Sequence, residues 1–180
     1  MLFADTYLQN RYRIIRPLGQ GGMGHVYEAL DENVALTVAI KERLAEVDSE
    51  KLKRAFEYEA KLLAGLKHRA LPRVTNYFIE GHGQFLVMEY IGGKNLAEVL
   101  KNRKGAIPFT EVMWWADSLL DALEYLHGQA IIHRDIKPEN IKLTDEGKIY
   151  LLDFGLAKVE IDWMTSSVPW RTVAYAPLAH

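Results

Sequence analysis

The chain has no cysteine among its 180 residues, which excludes disulfides and thiolate metal sites and fits a reducing compartment. No apolar run approaches the ~20 residues that cross a bilayer, so no membrane segment is expected within this chain. The stretch Met1–Arg13 carries Asp5 and polar residues where a secretory signal needs a continuous apolar core. There is no excess of positive charge either. A formal net charge of −2 removes any bulk electrostatic case for nucleic acid or an acidic membrane surface. Internal repeats and low-complexity segments are also missing. What remains is 49% hydrophobic and 26% charged residues, a globular balance in a chain long enough for one ordinary domain or two small lobes.

Residues 12–18, 25–30 and 34–41 read as strands, the first running into a glycine cluster at 19–24 and the others joined by an Asp31-Glu32-Asn33 turn. From Ser49, a predicted N-cap, to Lys67 the pattern is helical, with Leu52, Phe56, Leu62, Leu63 and Leu66 on one stripe. Val74–Glu80 and Gln84–Tyr90 read as strands around a Gly81-His82-Gly83 turn. After Gly92-Gly93 the character changes: a short helix at 95–103, a longer one at 110–127 capped by Gly128, then short strands at 141–143 and 149–152. A lobe boundary is therefore expected near 91–93, dividing the chain into 1–91 and 92–180. Trp114-Trp115 reads as a partly buried helix face, because aromatic side chains supply large core area.

Candidate chemistry lies in both halves. Gly19-Gln20-Gly21-Gly22-Met23-Gly24 is a G-x-G-x-x-G run. Such glycines let backbone N–H groups approach phosphate, although turn glycines between two strands are also common. A dinucleotide fold would want a helix next, and His25–Ala29 reads as strand instead. Lys41 ends the apolar strand Val38-Ala39-Ile40, where a lysine can simply snorkel to solvent. Glu59, however, falls on the apolar stripe of the helix, and an inward carboxylate is costly unless paired. Lys41 is the economical partner, and a lysine so held can grip phosphate oxygens. In the second half, His133-Arg134-Asp135-Ile136-Lys137-Pro138-Glu139-Asn140 precedes Asp153-Phe154-Gly155. Asp135 is a candidate base, and Lys137 a phosphate-facing cation. Asn140 and Asp153 are the hard oxygen ligands that Mg²⁺ prefers. His133 reads as a packed structural histidine.

Taken together, these motifs resemble the protein kinases of eukaryotic-like, bacterial type, over nearly the whole chain from about residue 12. Lys137-Pro138-Glu139 looks like the serine/threonine branch. The resemblance implies an α+β, two-lobed fold: a small antiparallel N-lobe sheet with one helix, then a mainly helical C-lobe, incomplete here. It implies ATP and Mg²⁺ as cofactors. Leu18, Gly19, Gln20, Gly21, Gly22, Met23 and Gly24 would cover the phosphates, and Val26 and Ala39 the adenine. Met88 would be the gatekeeper, with Glu89 and Ile91 presenting backbone groups. Lys41 and Glu59 would work as a pair, Asp135 would orient the substrate hydroxyl, Lys137 would steady the transferred phosphate, and Asn140 and Asp153 would hold the metal. Protein substrates with Ser or Thr acceptors follow from it. So does self-association for autophosphorylation at Thr165, Ser166 or Ser167 opposite Arg134, in a cytoplasmic chain or the cytoplasmic part of a longer, anchored parent.

The chain also departs from the pattern. Ala179 stands where the family's segment-ending Glu would be, Arg171 replaces a glycine before Thr172, and Lys142 occupies an apolar position under the adenine. The family's second lobe continues through further helices. Without them the apolar face of the 110–127 helix is expected to be partly open, forfeiting on the order of 10 kcal/mol if several hundred Å² stay uncovered. Two alternatives stand beside the kinase reading: a fragment or pseudokinase-like module that binds nucleotide or a partner without catalysis, and a small-molecule phosphotransferase of related fold.

Overall fold

The structure, a computed structural model, describes residues 1–21, 24–44 and 50–153. The loop residues Gly22 and Met23, the predicted cap Ser49, and Phe154 onward, with the acceptors at 165–167, lie outside the described residues. The chain divides into two compact units. The first comprises Met1–Lys67 and Arg73–Tyr90; the second takes in His68–Pro72 and the chain from Ile91.

The first unit is built on β1 (Tyr7–Leu8), β2 (Tyr12–Gly21), β3 (Gly24–Asp31), β4 (Leu36–Leu44), α1 (Glu50–Gly65), β5 (Val74–Glu80) and β6 (Gly83–Glu89). The strands form one antiparallel sheet in the order β1-β2-β3-β4-β6-β5. Strand periodicity sorts the side chains onto two faces. Tyr27, Ala29, Val38, Ile40, Phe85 and Val87 meet Leu8, Tyr12 and Ile14 in a buried cluster on one face. Tyr12, Phe78 and Phe85 stack in series there, with centroids 5.8 and 5.1 Å apart. Val26, Ala39, Lys41, Leu86 and Met88 alternate onto the other face, in register across β3, β4 and β6. On that face the Phe56 ring of α1 meets Tyr77 edge-on at 6.3 Å. Phe56, Leu63 and Leu66 of the predicted stripe are buried.

β4 starts two residues later than the sequence suggests. The Asp31 side chain accepts from Asn33 N–H at 3.2 Å, and Ala35 turns left-handed (φ 53°), so the strand begins only at Leu36. Such an Asx turn offers the backbone an alternative to pairing.

The second unit carries β7 (Lys94–Asn95), α2 (Leu96–Asn102), α3 (Phe109–Gly128), a 3₁₀ turn (Pro138–Asn140), β8 (Ile141–Leu143) and β9 (Ile149–Leu151). The three strands pair antiparallel in the order β7-β8-β9. Gly93 (φ 94°) lies so close to the Leu143 carbonyl that a Cβ would collide with it. Asn95 and Glu98 form a reciprocal capping box at the start of α2, satisfying two N–H groups that the helix cannot.

α3 buries Trp115, Ser118, Ala122 and Leu126 along one stripe. It buries only one of the paired tryptophans: Trp115 is 5% exposed and Trp114 53%. Phe109, Val112, Met113 and Leu120 are exposed as well, the open apolar face expected of this helix. Gly128 is not its cap but its last helical residue. Gln129 caps the helix and Ala130 takes the left-handed position (φ 57°). Ile131 N–H then reaches back to the Leu126 carbonyl at 2.9 Å and Ala130 N–H to His127, closing a Schellman motif over buried Ile131 and Leu126. The segment 68–72 packs in this unit: His68 stacks on Tyr125, lies 3.2 Å from Asp121, and accepts Ala70 N–H, while Ala70 O receives Leu151 N–H at 2.8 Å.

Candidate active site

In the first unit the glycine run joins β2 to β3, with Gly21 opposite Gly24 and Gly19 opposite Val26. Gly24 (φ 135°) abuts the Glu42 peptide so closely that any Cβ would collide with the Glu42 carbonyl. Leu18 and Gln20 lie along β2 just before that turn. Val26 sits across from Lys41, which in turn faces Leu86; Ala39 faces Met88. Glu89 donates its N–H to the Arg73 carbonyl at 2.8 Å, so that N–H is committed within the protein.

Glu59 points inward from α1, as its place on the stripe requires. Burial raises its carboxyl above the ordinary glutamate value, with Arg43 and then Lys41 pulling it back down. An ion pair joins it to Arg43, whose Nη1 lies 3.4 Å from Glu59 Oε2. The sequence points to Lys41 for this role; the structure adds Arg43, two residues on along the same face of β4, with Lys41 also acting on the carboxylate electrostatically. The period-2 pattern Ala39, Lys41, Arg43 was the available signal.

In the second unit residues 131–136 alternate strictly: Ile131, His133 and Asp135 buried, Ile132, Arg134 and Ile136 exposed. Both ring nitrogens of His133 are engaged. Nε2 lies 2.9 Å from the Leu152 carbonyl, so it carries the proton, and Nδ1 then accepts Asp135 N–H at 3.4 Å. This neutral imidazole joins the base loop to the strand leading to Asp153, the packed role read from the sequence. Asp135 Oδ2 receives Lys137 Nζ at 2.7 Å and Asn140 Nδ2 at 2.8 Å, and Asn140 Nδ2 also reaches Asp135 O at 2.9 Å. Two charge-assisted bonds therefore fix one carboxylate oxygen.

The same bonds fix Asn140. Its amide nitrogen is committed to Asp135, which leaves its side-chain oxygen as the end that can face a cation. Its main-chain carbonyl accepts Leu152 N–H at 2.7 Å, next to Asp153. Arg134 (φ 67°) and Asp153 (φ 70°) both occupy the left-handed region, which costs a non-glycine residue about 1–2 kcal/mol. Among the described residues no group of three or more His, Asp or Glu side chains could hold a metal alone. Two oxygens, from Asn140 and Asp153, fit an ion such as Mg²⁺ that takes its remaining ligands from phosphate and water.

A glycine hairpin beside a lysine strand, a helix carboxylate behind it, and a base loop tied to an Asp-bearing strand end define the protein-kinase fold. The chain belongs to the protein kinase domain family, whose model matches residues 12–177. It is similar to the probable serine/threonine-protein kinase YbdM of Bacillus subtilis, at 39% identity over 84% of this chain and 59% of that protein. It is also similar to the probable serine/threonine-protein kinase CPE1738 of Clostridium perfringens, at 37% identity over 84% of this chain and 22% of the relative. Among solved structures it resembles the one titled PpkA-294 apo form: TM-score 0.72, 26% identity, 86% of this chain and 62% of that one. The chain spans about a fifth of the length of several curated relatives it matches. No helix among the described residues is long and apolar enough to cross a membrane.

Proposed function

We propose that this chain carries the nucleotide-binding and base-bearing parts of an ATP- and Mg²⁺-dependent protein serine/threonine kinase acting in the cytoplasm. The observation that supports it most is the Asp135 carboxylate, buried and held by Lys137 at 2.7 Å and Asn140 at 2.8 Å. A carboxylate fixed in that way can orient a Ser or Thr hydroxyl and accept its hydrogen bond without first reorganising. Lys137, beside it, steadies the phosphoryl group. Asn140 and Asp153 would hold the metal. Bound Mg²⁺ would neutralise the phosphate charge that develops during transfer.

The sheet face with Val26, Ala39 and Met88 receives the base, helped by Leu18 and by a backbone group of Glu89. The run Gly19, Gln20, Gly21, Gly22, Met23 and Gly24 covers the phosphates. Lys41 grips them, oriented by Glu59, with Arg43 holding that carboxylate. Self-association would allow autophosphorylation at 165–167, with Arg134 as the receiving cation.

The test is transfer of labelled γ-phosphate from Mg·ATP to a basic protein rich in Ser and Thr. Transfer abolished by Asp135→Asn supports the reading; transfer that survives it, or goes equally well to small alcohols, overturns it. One observation favours a second reading, a module that binds without transferring phosphate: α3 leaves Phe109, Met113, Trp114 and Leu120 exposed. Nucleotide binding with no transfer under the same assay would select it.

A further inference from the structure

The nucleotide-facing side of the sheet has a counterpart on its buried face that the proposed chemistry does not use. Glu42, the residue after Lys41, is 5% exposed and sits across from Phe85 beside the apolar cluster. Its Oε2 accepts the Tyr27 hydroxyl at 2.6 Å. His25 lies 3.7 Å from the same oxygen, with a buried Nδ1 that has no hydrogen-bond partner. Tyr27 Oη in turn accepts Leu2 N–H at 2.9 Å. Burial and then the bond to Glu42 push the Tyr27 phenol up to about 12, so it remains a donor at any working pH.

The Glu42 carboxylate meets the Tyr27 hydroxyl and the His25 ring. A buried carboxylate set against a phenol and an imidazole is an expensive way to fill a position that Leu or Met would fill at no electrostatic cost. Stability does not account for it.

Position does. Glu42 is paired in register with His25, and Tyr27 with Ile40. The Tyr27–Glu42 bond is thus a diagonal brace across two strands. Between its ends lies the Val26–Lys41 pair, whose side chains project from the opposite face. The Glu42 peptide is also the surface against which Gly24 packs. One residue therefore touches the end of the glycine run through its backbone, braces β3 through its side chain, and adjoins Lys41 in the chain.

We propose that Glu42 is a positioning residue for nucleotide binding, holding Gly24 and Lys41 in place from the far face of the sheet through the Tyr27 hydroxyl. This rests on the nucleotide reading given above.

The experiment is calorimetric titration of the 180-residue chain with Mg·ATP, alongside thermal unfolding without ligand, for wild type, Glu42→Leu, Glu42→Gln, Tyr27→Phe and, as control, Lys41→Met. Glu42→Leu should unfold at or above the wild-type midpoint yet bind about tenfold more weakly, equivalent to ~1.4 kcal/mol. Tyr27→Phe should weaken binding similarly. Glu42→Gln, whose amide oxygen still accepts the hydroxyl, should stay within about threefold. Wild-type affinity in both Glu42→Leu and Tyr27→Phe overturns the proposal, as does a loss of affinity that merely follows a loss of stability. If Glu42→Leu does not fold, Tyr27→Phe decides alone. If wild type and Lys41→Met both fail to bind Mg·ATP, the nucleotide reading itself falls and takes this one with it.

Discussion

Replacing Asn140 by Asp changes almost no volume but reverses the hydrogen bonding at Asp135. In the native loop Asn140 Nδ2 donates to Asp135 O at 2.9 Å and to Asp135 Oδ2 at 2.8 Å, and both residues are buried. In Asn140→Asp an oxygen takes the nitrogen's place, so two donor contacts become two acceptor–acceptor contacts. Losing the bond to the carboxylate costs about 1.5–3 kcal/mol, and keeping one of two adjacent buried carboxyls protonated brings the total to about 3–4 kcal/mol near neutral pH. Two carboxylates so close cannot both ionise, so the pair retains a proton with a raised folded-state pKa. The sign follows. A raised pKa means that the folded state binds more protons than the unfolded one, so stability is greatest at low pH and is lost as pH rises through the folded value. The deficit of Asn140→Asp against wild type should therefore shrink between about pH 7.5 and about pH 5. Urea unfolding followed by circular dichroism at several pH values measures it. A deficit below about 1 kcal/mol, or one flat across that range, would refute the claim that Asn140 holds Asp135 as a charge-assisted donor.

Two further outcomes follow from the same structure. Ala130→Gly should raise stability by about 1 kcal/mol, since glycine occupies the left-handed position closing α3 without a Cβ clash; an unchanged or lowered urea midpoint would contradict the Schellman assignment. The Arg11 guanidinium, bonded to both Asp31 oxygens at 2.8 and 2.7 Å, holds that carboxyl below its ordinary value. The stability it contributes is present above the unfolded Asp value and is lost as pH falls through the folded one. Asp31→Asn should therefore cost stability near neutrality and little in strong acid; a cost constant with pH would count against the pair.

Most of the fold, and the contacts that tie Asp135 to Lys137 and Asn140, were legible in the sequence, for identifiable reasons. Strands such as β3, with strict alternation of buried and half-buried residues, and helices such as α1, with an apolar stripe, carry their period in the residue pattern. The two-residue strands β1 and β7 are too short to show any period. The end of α3 was misplaced because a glycine signals a C-cap, whereas here backbone hydrogen bonding puts the left-handed turn on Ala130, two residues later. The base loop was recognisable because Asp135, Lys137 and Asn140 are close in the chain, so their contacts are local. Arg43 and the Glu42–Tyr27 brace were missed because they depend on which residues of separate elements share a face, and that is fixed by sheet register and helix docking rather than by any short motif.

The kinase reading proposed above requires that the chain bind Mg·ATP and that Lys41 contribute to that binding. Thermal unfolding with ATP, with Mg²⁺ and with both tests it most directly. A ligand at about 100 times its Kd adds about 2.7 kcal/mol to the folded state. The account predicts a cooperative transition whose midpoint rises only with both present, and not at all in Lys41→Met. A midpoint indifferent to Mg·ATP in the wild-type chain would contradict it.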